Sequence, residues 1–175
     1  MTVAVEDVNQ VAGRSPFRAM RGPMAEHDPD KLHKKLSDFA ERFPLFRLLG
    51  VEMLEFRPGF ARTRLALRDD LKNANGVLHG GIVATLIDIT ITQAMLMTDD
   101  YQRVRDTRGT MTSVDLRVKY LRPLSSGHAI CEATIPHLGK RISHANAVVK
   151  SAEDKPLALG DSTILITLGD APAPK

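Results

Sequence analysis

The sequence predicts an α+β domain in which an antiparallel sheet of five to six strands wraps around one long central helix. Three observations support this fold class. Residues 81–97 are apolar apart from one charge, Asp88, so they should form a helix that is buried nearly all round. Segments with the patterns of β-strands lie both before and after that helix. Glycine, proline and charged residues separate those segments, as expected for turns.

Several segments carry strand patterns. Two of them, residues 51–56 and 60–67, flank a Pro58-Gly59 turn. Residues 113–120 alternate polar and apolar side chains, which is typical of a strand with one solvated face. The remaining predicted strands are residues 129–135, 142–149 and 157–168.

The N-terminal part of the chain has a different character. Residues 1–26 contain glycine and proline without a sustained period, which predicts a flexible extension before one domain of residues 27–170. Asp28 is a good N-cap, and Pro29 fits the first position of a helix. Apolar residues then recur at helical spacing up to Pro44, which should end the helix. They are Leu32, Leu36, Phe39 and Phe43.

Composition limits the function classes. A chain of 175 residues with a net charge of +3 is too weakly basic to indicate nucleic-acid binding, but the charge suits an anionic small molecule. The single cysteine excludes an internal disulfide and fits a reducing compartment. No apolar run reaches the ~18 residues of a membrane span, and no secretory h-region begins the chain. We therefore expect a cytoplasmic protein that acts away from membranes.

Asp88 is the first candidate catalytic residue, because it lies between Ile87 and Ile89 in an otherwise apolar helix. Burying an unpaired carboxylate is costly, and aspartate is a poor residue for the middle of a helix. Sequences tend to break such local rules at functional sites. The alternative is a structural aspartate that is paired across a subunit interface.

The helix is preceded by His79-Gly80-Gly81, the second candidate feature. A helix start with glycines leaves N–H groups accessible and could stabilise an oxyanion, although the same residues could form only a tight turn. Asp88 lies nine residues after His79, which is about 13 Å along a helix. A site that uses both Gly80 and Asp88 would therefore need a second chain.

The central segment carries a longer motif, Asn73-x-x-Gly76-x-Leu78-His79-Gly80-Gly81-x-x-x-x-Leu86-x-Asp88. This motif resembles the signature of hotdog-fold thioesterases of the phenylacetate-pathway (PaaI) type. The similarity covers about residues 45–168 and includes strand and turn landmarks of that family. These landmarks are Ser113-Val114-Asp115, Tyr120-Leu121-Arg122-Pro123, Gly139-Lys140 and Gly160.

The resemblance implies hydrolysis of an acyl-CoA by groups from two chains. The Gly80 N–H would polarise the thioester carbonyl, and Asn73 would help to place substrate or water. Asp88 of the other chain would act as nucleophile or as general base, and Ser113 would steady the carboxylate or water. His79 would lie near the carbonyl or the leaving sulfur.

The resemblance also implies a homodimer as the minimal unit, assembled as a dimer of dimers. CoA would be part of the substrate, with no separate cofactor and no metal. Some relatives place a histidine on the last strand where Ser162 aligns, so an acid from that strand is in doubt.

Basic residues offer a candidate site for the CoA phosphates. Lys140 and Arg141 occupy a turn that CoA often approaches in the family, and Arg122 is a third candidate. The alternative, a solvated strand face, applies to these residues and equally to Arg117 and Lys119.

Other chemistries are less well supported by the sequence. Cys131 alternates with small and apolar residues on a predicted strand, so we expect it in the core. No Gly-x-Ser-x-Gly motif and no metal-ligand spacing of histidines occurs. A non-catalytic acyl-CoA sensor with the same fold is the main alternative, although such proteins carry a DNA-binding helix-turn-helix that residues 1–44 do not predict. A hotdog dehydratase lacks support, because no Asp–His pairing is recognisable.

Overall fold

The computed structural model describes residues 43–96 and 98–169. It contains six strands and three α-helices within those residues, which confirms the predicted α+β class. The helices are α1 (Pro44–Leu49), α2 (Gly80–Leu96) and α3 (Asp99–Asp106), and a 3₁₀ turn covers Asp69–Leu71. The strands are β1 (Val51–Arg57), β2 (Phe60–Ala66), β3 (Thr110–Tyr120), β4 (His128–His137), β5 (Ile142–Ser151) and β6 (Pro156–Thr167).

The six strands form one antiparallel sheet in the order β1-β2-β4-β5-β6-β3. β1 and β3 are therefore the two edges, and β3 pairs only with β6 among the described strands. β3 begins opposite the end of β6, where Thr110 pairs with Thr167, and ends where Tyr120 pairs with Ala158. Within the described residues, no helix is long and apolar enough to cross a membrane.

The central helix α2 packs across one face of the sheet and contacts all six strands. Gly160 of β6 shows how close the packing is, since a Cβ atom at this position would lie 2.6 Å from Cγ2 of Ile87. The buried Thr63 and Thr90 hydroxyls, from β2 and α2, pair with each other at 2.7 Å. The N–H of Gly59, in the β1–β2 turn, bonds the Ala94 carbonyl near the end of α2 at 3.0 Å. These contacts fix α2 along its length against the sheet.

One face of α2 differs from the prediction that this helix is buried nearly all round. Gly81, Thr85, Asp88 and Thr92 follow one another at helical spacing and are exposed or half-buried in the chain. The other faces are buried and contain most of the apolar side chains. The helix therefore carries one accessible stripe, and Asp88 lies at its middle.

Cys131 lies in the core, as predicted. Its side chain is fully buried on the inner face of β4. Burial raises the pKa of the Cys131 thiol to about 12, which keeps it protonated at neutral pH. A nucleophilic role for this cysteine is therefore excluded on physical grounds.

Three local features differ from the sequence predictions. Phe43 is extended (φ −105°, ψ 108°), and Pro44 opens the short helix α1 rather than only ending a preceding one. Helix α3 was not predicted. β3 is exposed over most of both faces rather than one. The predicted extension of residues 1–26 and the predicted helix after Asp28 lie outside the described residues, so both stay predictions.

Candidate active site

The loop before α2 is held in shape by Asn73. Its backbone N–H bonds the Val77 carbonyl at 2.9 Å, and its backbone carbonyl accepts the Gly76 N–H at 2.9 Å. Its side-chain oxygen accepts the Asn75 N–H at 2.9 Å. Gly76 has a φ of +76°, which glycine tolerates without strain. Because the side-chain oxygen of Asn73 is used by the loop, its Nδ2 amide is the group that remains to contact a substrate or a water.

The start of α2 is fixed by two backbone bonds. The Leu78 N–H bonds the Leu124 carbonyl, and the His79 N–H bonds the Leu71 carbonyl, each at 2.9 Å. His79 Nδ1 accepts the Gly81 N–H at 2.9 Å, so the proton of a neutral His79 ring is on Nε2, which can donate. The N–H of Gly80 has no acceptor among the described residues, as is usual in the first turn of a helix. The Gly80 N–H, the His79 Nε2–H and the helix dipole all favour negative charge at the N-terminus of α2.

Tyr120 contacts the start of α2, and this contact was not predicted from the sequence. Its hydroxyl donates to the Gly80 carbonyl at 2.9 Å, and a Cβ atom at Gly80 would lie 3.4 Å from its ring. The end of the edge strand β3 therefore holds the first residue of α2. In the sequence Tyr120 is recognisable only as a family landmark, because no local pattern links residues that are 40 positions apart.

A cavity of about 440 Å³ opens beside this helix start. Asn73, Gly80, Tyr120 and Arg122 line it together with apolar side chains, including Leu121. Arg122 is exposed and donates from Nη1 to the Pro156 carbonyl at 2.9 Å. The structure thus brings together three of the predicted site residues, Asn73, Gly80 and Arg122.

Asp88 pairs with Ser113. Ser113 Oγ donates to Asp88 Oδ1 at 2.8 Å, between the middle of α2 and the first half of β3. The carboxylate is half-buried and hydrogen-bonded, so it is not the lone buried charge that the apolar sequence around it suggested. The hydroxyl fixes one carboxylate oxygen and leaves the other on the accessible stripe of α2.

The backbone of β3 has a bulge at this point. Ser113 pairs with Ile164 and Asp115 pairs with Thr163, so Val114 is the extra residue. Ser162 is buried and its hydroxyl donates to the Asp115 carbonyl at 2.8 Å. Ser162, where some relatives place a histidine, therefore stabilises the bulge that presents Ser113.

Within one chain, Gly80 and Asp88 remain apart. Eight residues of helix separate them, which is about 12 Å along the axis. One thioester carbonyl cannot contact both groups on the same chain, in agreement with the sequence-based expectation.

The basic residues divide into separate regions. Lys140 and Arg141 line a cavity of about 370 Å³ with Arg103 near the β4–β5 turn. The Arg141 carbonyl accepts the Ile166 N–H at 2.8 Å, which places this turn at the end of the sheet where β3 begins. Arg122 lies at the other end, so one chain does not bring the three predicted CoA-binding residues together.

Arg117 belongs to the sheet surface. It forms ion pairs with Asp115 at 3.2 Å and with Asp161 at 2.8 Å. This arrangement agrees with the alternative interpretation of a solvated strand face for this residue.

Comparison with known proteins places the chain in a family. The profile of the thioesterase superfamily matches residues 75–158, which include Gly80, Asp88 and Ser113. The medium/long-chain acyl-CoA thioesterase YigI of Escherichia coli K12 is 25% identical over 139 residues, 73% of this chain and 88% of YigI.

Two solved structures illustrate the likeness in three dimensions. The TT0310 protein of Thermus thermophilus is 30% identical with a TM-score of 0.60, over 71% of this chain and 97% of that protein. A mutant of the phenylacetic acid degradation protein PaaI of the same organism is 28% identical with a TM-score of 0.60, over 70% of this chain and 98% of PaaI. The chain therefore belongs to the thioesterase superfamily, has its hotdog fold, and counts PaaI proteins among its structural relatives.

Proposed function

We propose that this chain is an acyl-CoA thioesterase that hydrolyses its substrate to a carboxylic acid and free CoA in a site shared by two copies. Membership in the superfamily indicates thioester hydrolysis as the general class of reaction. The observation that carries the more specific proposal is the Ser113–Asp88 hydrogen bond of 2.8 Å, because it positions a carboxylate on the accessible stripe of α2.

The proposed chemistry uses a hydrogen-bond donor from one copy and a carboxylate from the other. The Gly80 N–H at the start of one α2 donates to the carbonyl oxygen and stabilises the developing oxyanion. Asp88 of the other copy either takes a proton from a water that attacks the carbonyl carbon, or attacks that carbon itself to form an anhydride that water then hydrolyses. In both routes the carbon–sulfur bond breaks and CoA leaves as a thiolate, to which the Nε2–H of His79 could donate a hydrogen bond. The thiolate then takes up the proton that the water releases, through Asp88 in the first route and from the solvent in the second.

The edge strand β3 supports a shared site. Its outer edge has no strand partner among the described residues, and Val114 and Tyr120 are 54% and 58% exposed. An unpaired edge of this length is a ready surface for pairing with another copy. In an antiparallel pairing whose twofold axis passes near Leu116, close to the middle of β3, Ser113 of one copy would lie beside the partner's Lys119 and Tyr120. Since Tyr120 contacts Gly80, that pairing would bring the partner's Gly80 towards Asp88.

The same pairing would bring Lys140 and Arg141 of one copy close to Arg122 of the other. Lys140 and Arg141 lie at the end of the sheet where β3 begins, and the partner's Arg122 would approach that end. Guanidinium and ammonium groups suit the CoA phosphates. The proposed enzyme is a homodimer at least, assembled as a dimer of dimers, cytoplasmic, and independent of a metal or a separate cofactor.

The test is hydrolysis of a panel of acyl-CoAs by wild type and by Asp88→Asn, with free CoA measured as a thiol. Loss of the carboxylate should lower kcat by about 10² to 10⁴. Asp154→Asn is the matched control, because Asp154 is a surface carboxylate paired with Lys150, and it should keep wild-type activity. Wild-type turnover in Asp88→Asn would contradict the assignment, whereas acyl-CoA binding without turnover by the wild type would favour the sensor alternative.

A further inference from the structure

A cavity of about 350 Å³ lies between the second half of α2, helix α3 and the first half of β3. We propose that this cavity holds the acyl group, and that the substrate class is apolar acyl-CoA of medium chain length, about 8 to 12 carbons. Val104 and Met111 would set the upper limit. This inference rests on the proposed thioesterase function and adds the identity of the acyl group.

The position of the cavity relative to Asp88 is the first argument. Ser113, whose hydroxyl bonds the Asp88 carboxylate, lines the cavity. Thr92 also lines it, lies one helical turn after Asp88 and donates to the Asp88 carbonyl at 2.9 Å. A chain attached to a carbonyl carbon at Asp88 therefore reaches the cavity directly.

The chemistry of the walls is the second argument. The polar side chains of the lining are exposed or half-buried, and they belong to Thr92, Tyr101, Arg108 and Ser113. The buried part of the wall is apolar, because Met95, Val104 and Ile164 are 2%, 3% and 4% exposed and lie beside Leu96 and Met111. The pantetheine arm of CoA contains two amides, whose hydrogen bonds these side chains could not replace. An alkyl chain loses no hydrogen bonds there and gains from burial. The acyl group is thus the part of the substrate that matches this cavity.

Helix α3 closes the far end. The Gly109 N–H bonds the Val104 carbonyl at 2.8 Å, so the turn after α3 folds back on that helix. A Cβ atom at Gly109 would lie 2.1 Å from the Thr167 carbonyl oxygen, so this turn is packed tightly against the end of β6. The end wall is therefore part of the packed fold.

The size of the cavity gives the chain length. Asp88 and Leu96 are eight residues apart on α2, which is about 12 Å. An extended residue spans ~3.5 Å with three backbone bonds, so an extended alkyl chain advances ~1.2 Å per bond. About ten carbons therefore fit into a length of about 12 Å. A volume of about 350 Å³ is also at the small end of ligand cavities, which span ~300–1,000 Å³. Arg108, the charged residue of the lining, is exposed, so water can solvate its guanidinium. It therefore does not require a substrate whose acyl chain ends in a carboxylate.

The experiment measures kcat/KM for straight-chain acyl-CoAs from butanoyl to hexadecanoyl. We expect an increase of up to about fourfold per methylene, then a fall beyond about 12 carbons. Val104→Phe and Met111→Phe should each move the optimum to shorter chains and lower kcat/KM for decanoyl-CoA by about tenfold or more, with butanoyl-CoA changed less than about twofold. Val104→Ala should extend the optimum to longer chains.

Leu54→Phe adds the same ring at a partly exposed position of β1, the opposite edge of the sheet, and should leave the profile unchanged. If Val104→Phe fails to fold, the half-buried Met111 and Val104→Ala carry the test. Hydrolysis with an unaltered length profile in the folded variants, or a preference for carboxyl-terminated chains, would overturn the inference and leave the thioesterase function standing. If the wild type hydrolyses no acyl-CoA, the proposed function and this inference both fail.

Discussion

Ser113 Oγ donates a 2.8 Å hydrogen bond to Asp88 Oδ1, and this contact joins the edge strand β3 to the middle of the central helix. A hydroxyl that holds one carboxylate oxygen limits rotation of the side chain and directs the other oxygen to the accessible stripe of α2. Precise aim of a nucleophile or base contributes directly to rate. The bond therefore makes Ser113 a positioning residue for Asp88.

Ser113→Ala should lower kcat by about tenfold and change KM little, since a hydrogen bond to a charged group contributes ~1.5–3 kcal/mol and part of it is lost to solvent. Ser162→Ala is the contrasting variant. It removes a buried hydroxyl that bonds the Asp115 carbonyl, so it should reduce stability by about 1 kcal/mol with kcat nearly intact. Steady-state kinetics and urea unfolding of both variants distinguish the two roles. Equal kcat in Ser113→Ala and wild type would remove Ser113 from the mechanism.

Tyr120→Phe tests the support of the helix start. The phenylalanine ring keeps the packing against Gly80, and only the 2.9 Å bond to the Gly80 carbonyl is lost. Because a neutral hydrogen bond contributes about 0.5–1.5 kcal/mol, kcat should fall between about twofold and tenfold. Tyr120→Ala removes the ring as well and should have a larger effect. Native mass spectrometry would verify that both variants assemble like the wild type, and unchanged kcat in assembled Tyr120→Ala would show that this contact does not serve the reaction.

The sequence predicted the elements with strong periodicity and the site residues within one local motif. The alternation in β3 and the apolar run of α2 are one-dimensional signals, and Asn73, Gly80 and Asp88 lie in one stretch of 16 residues. The open stripe of α2 was instead predicted to be buried, although Gly81, Thr85, Asp88 and Thr92 are small or polar at helical spacing.

The unpredicted features depend on contacts between distant residues. The Tyr120–Gly80 bond joins the end of an edge strand to a helix start, and neither residue signals the other in the sequence. Helix α3 has the sequence DDYQRVRD, in which only Tyr101 and Val104 could form an apolar face, so its pattern is too short for a periodicity argument. The end wall of the acyl cavity, which α3 forms, could consequently not be predicted from the sequence.

The two basic residues of the β4–β5 turn provide a test of CoA recognition. Lys140→Ala combined with Arg141→Ala should raise KM for an acyl-CoA by about tenfold or more, and should change KM for the matching acyl-pantetheine by less than about twofold. The wild-type KM for the CoA ester should also increase with salt, because the phosphate contacts are screened. Lys155, a lysine of the β5–β6 turn, is exposed, and Lys155→Ala serves as the control. Equal changes in KM for the two esters would mean that Lys140 and Arg141 do not bind the nucleotide.

Activity should require two copies of the chain, because Gly80 and Asp88 are about 12 Å apart on one helix. Two inactive variants can therefore complement each other. Asp88→Asn retains an intact helix start, and Asn73→Ala combined with His79→Ala retains an intact carboxylate. After subunit exchange at equal amounts, about half of the dimers should be mixed, and each mixed dimer has one site with every catalytic group and one site that lacks the side chains of Asn73, His79 and Asp88. About a quarter of wild-type activity should return.

The matched control for this experiment replaces the second partner with a chain that carries Asn73→Ala, His79→Ala and Asp88→Asn together. A mixture of this triple variant with Asp88→Asn exchanges subunits in the same way but cannot form a complete site, so it should stay inactive. Mass spectrometry measures the fraction of mixed dimers in both samples. Recovery that tracks this fraction in the first mixture and is absent in the second indicates a site made by two chains. If mixed dimers form but the first mixture stays as inactive as its parents, the site is not shared between chains. Each chain would then have to act alone, and the length of α2 does not allow one carbonyl to contact Gly80 and Asp88 of the same chain. Gly80 would therefore lose its role as the oxyanion donor.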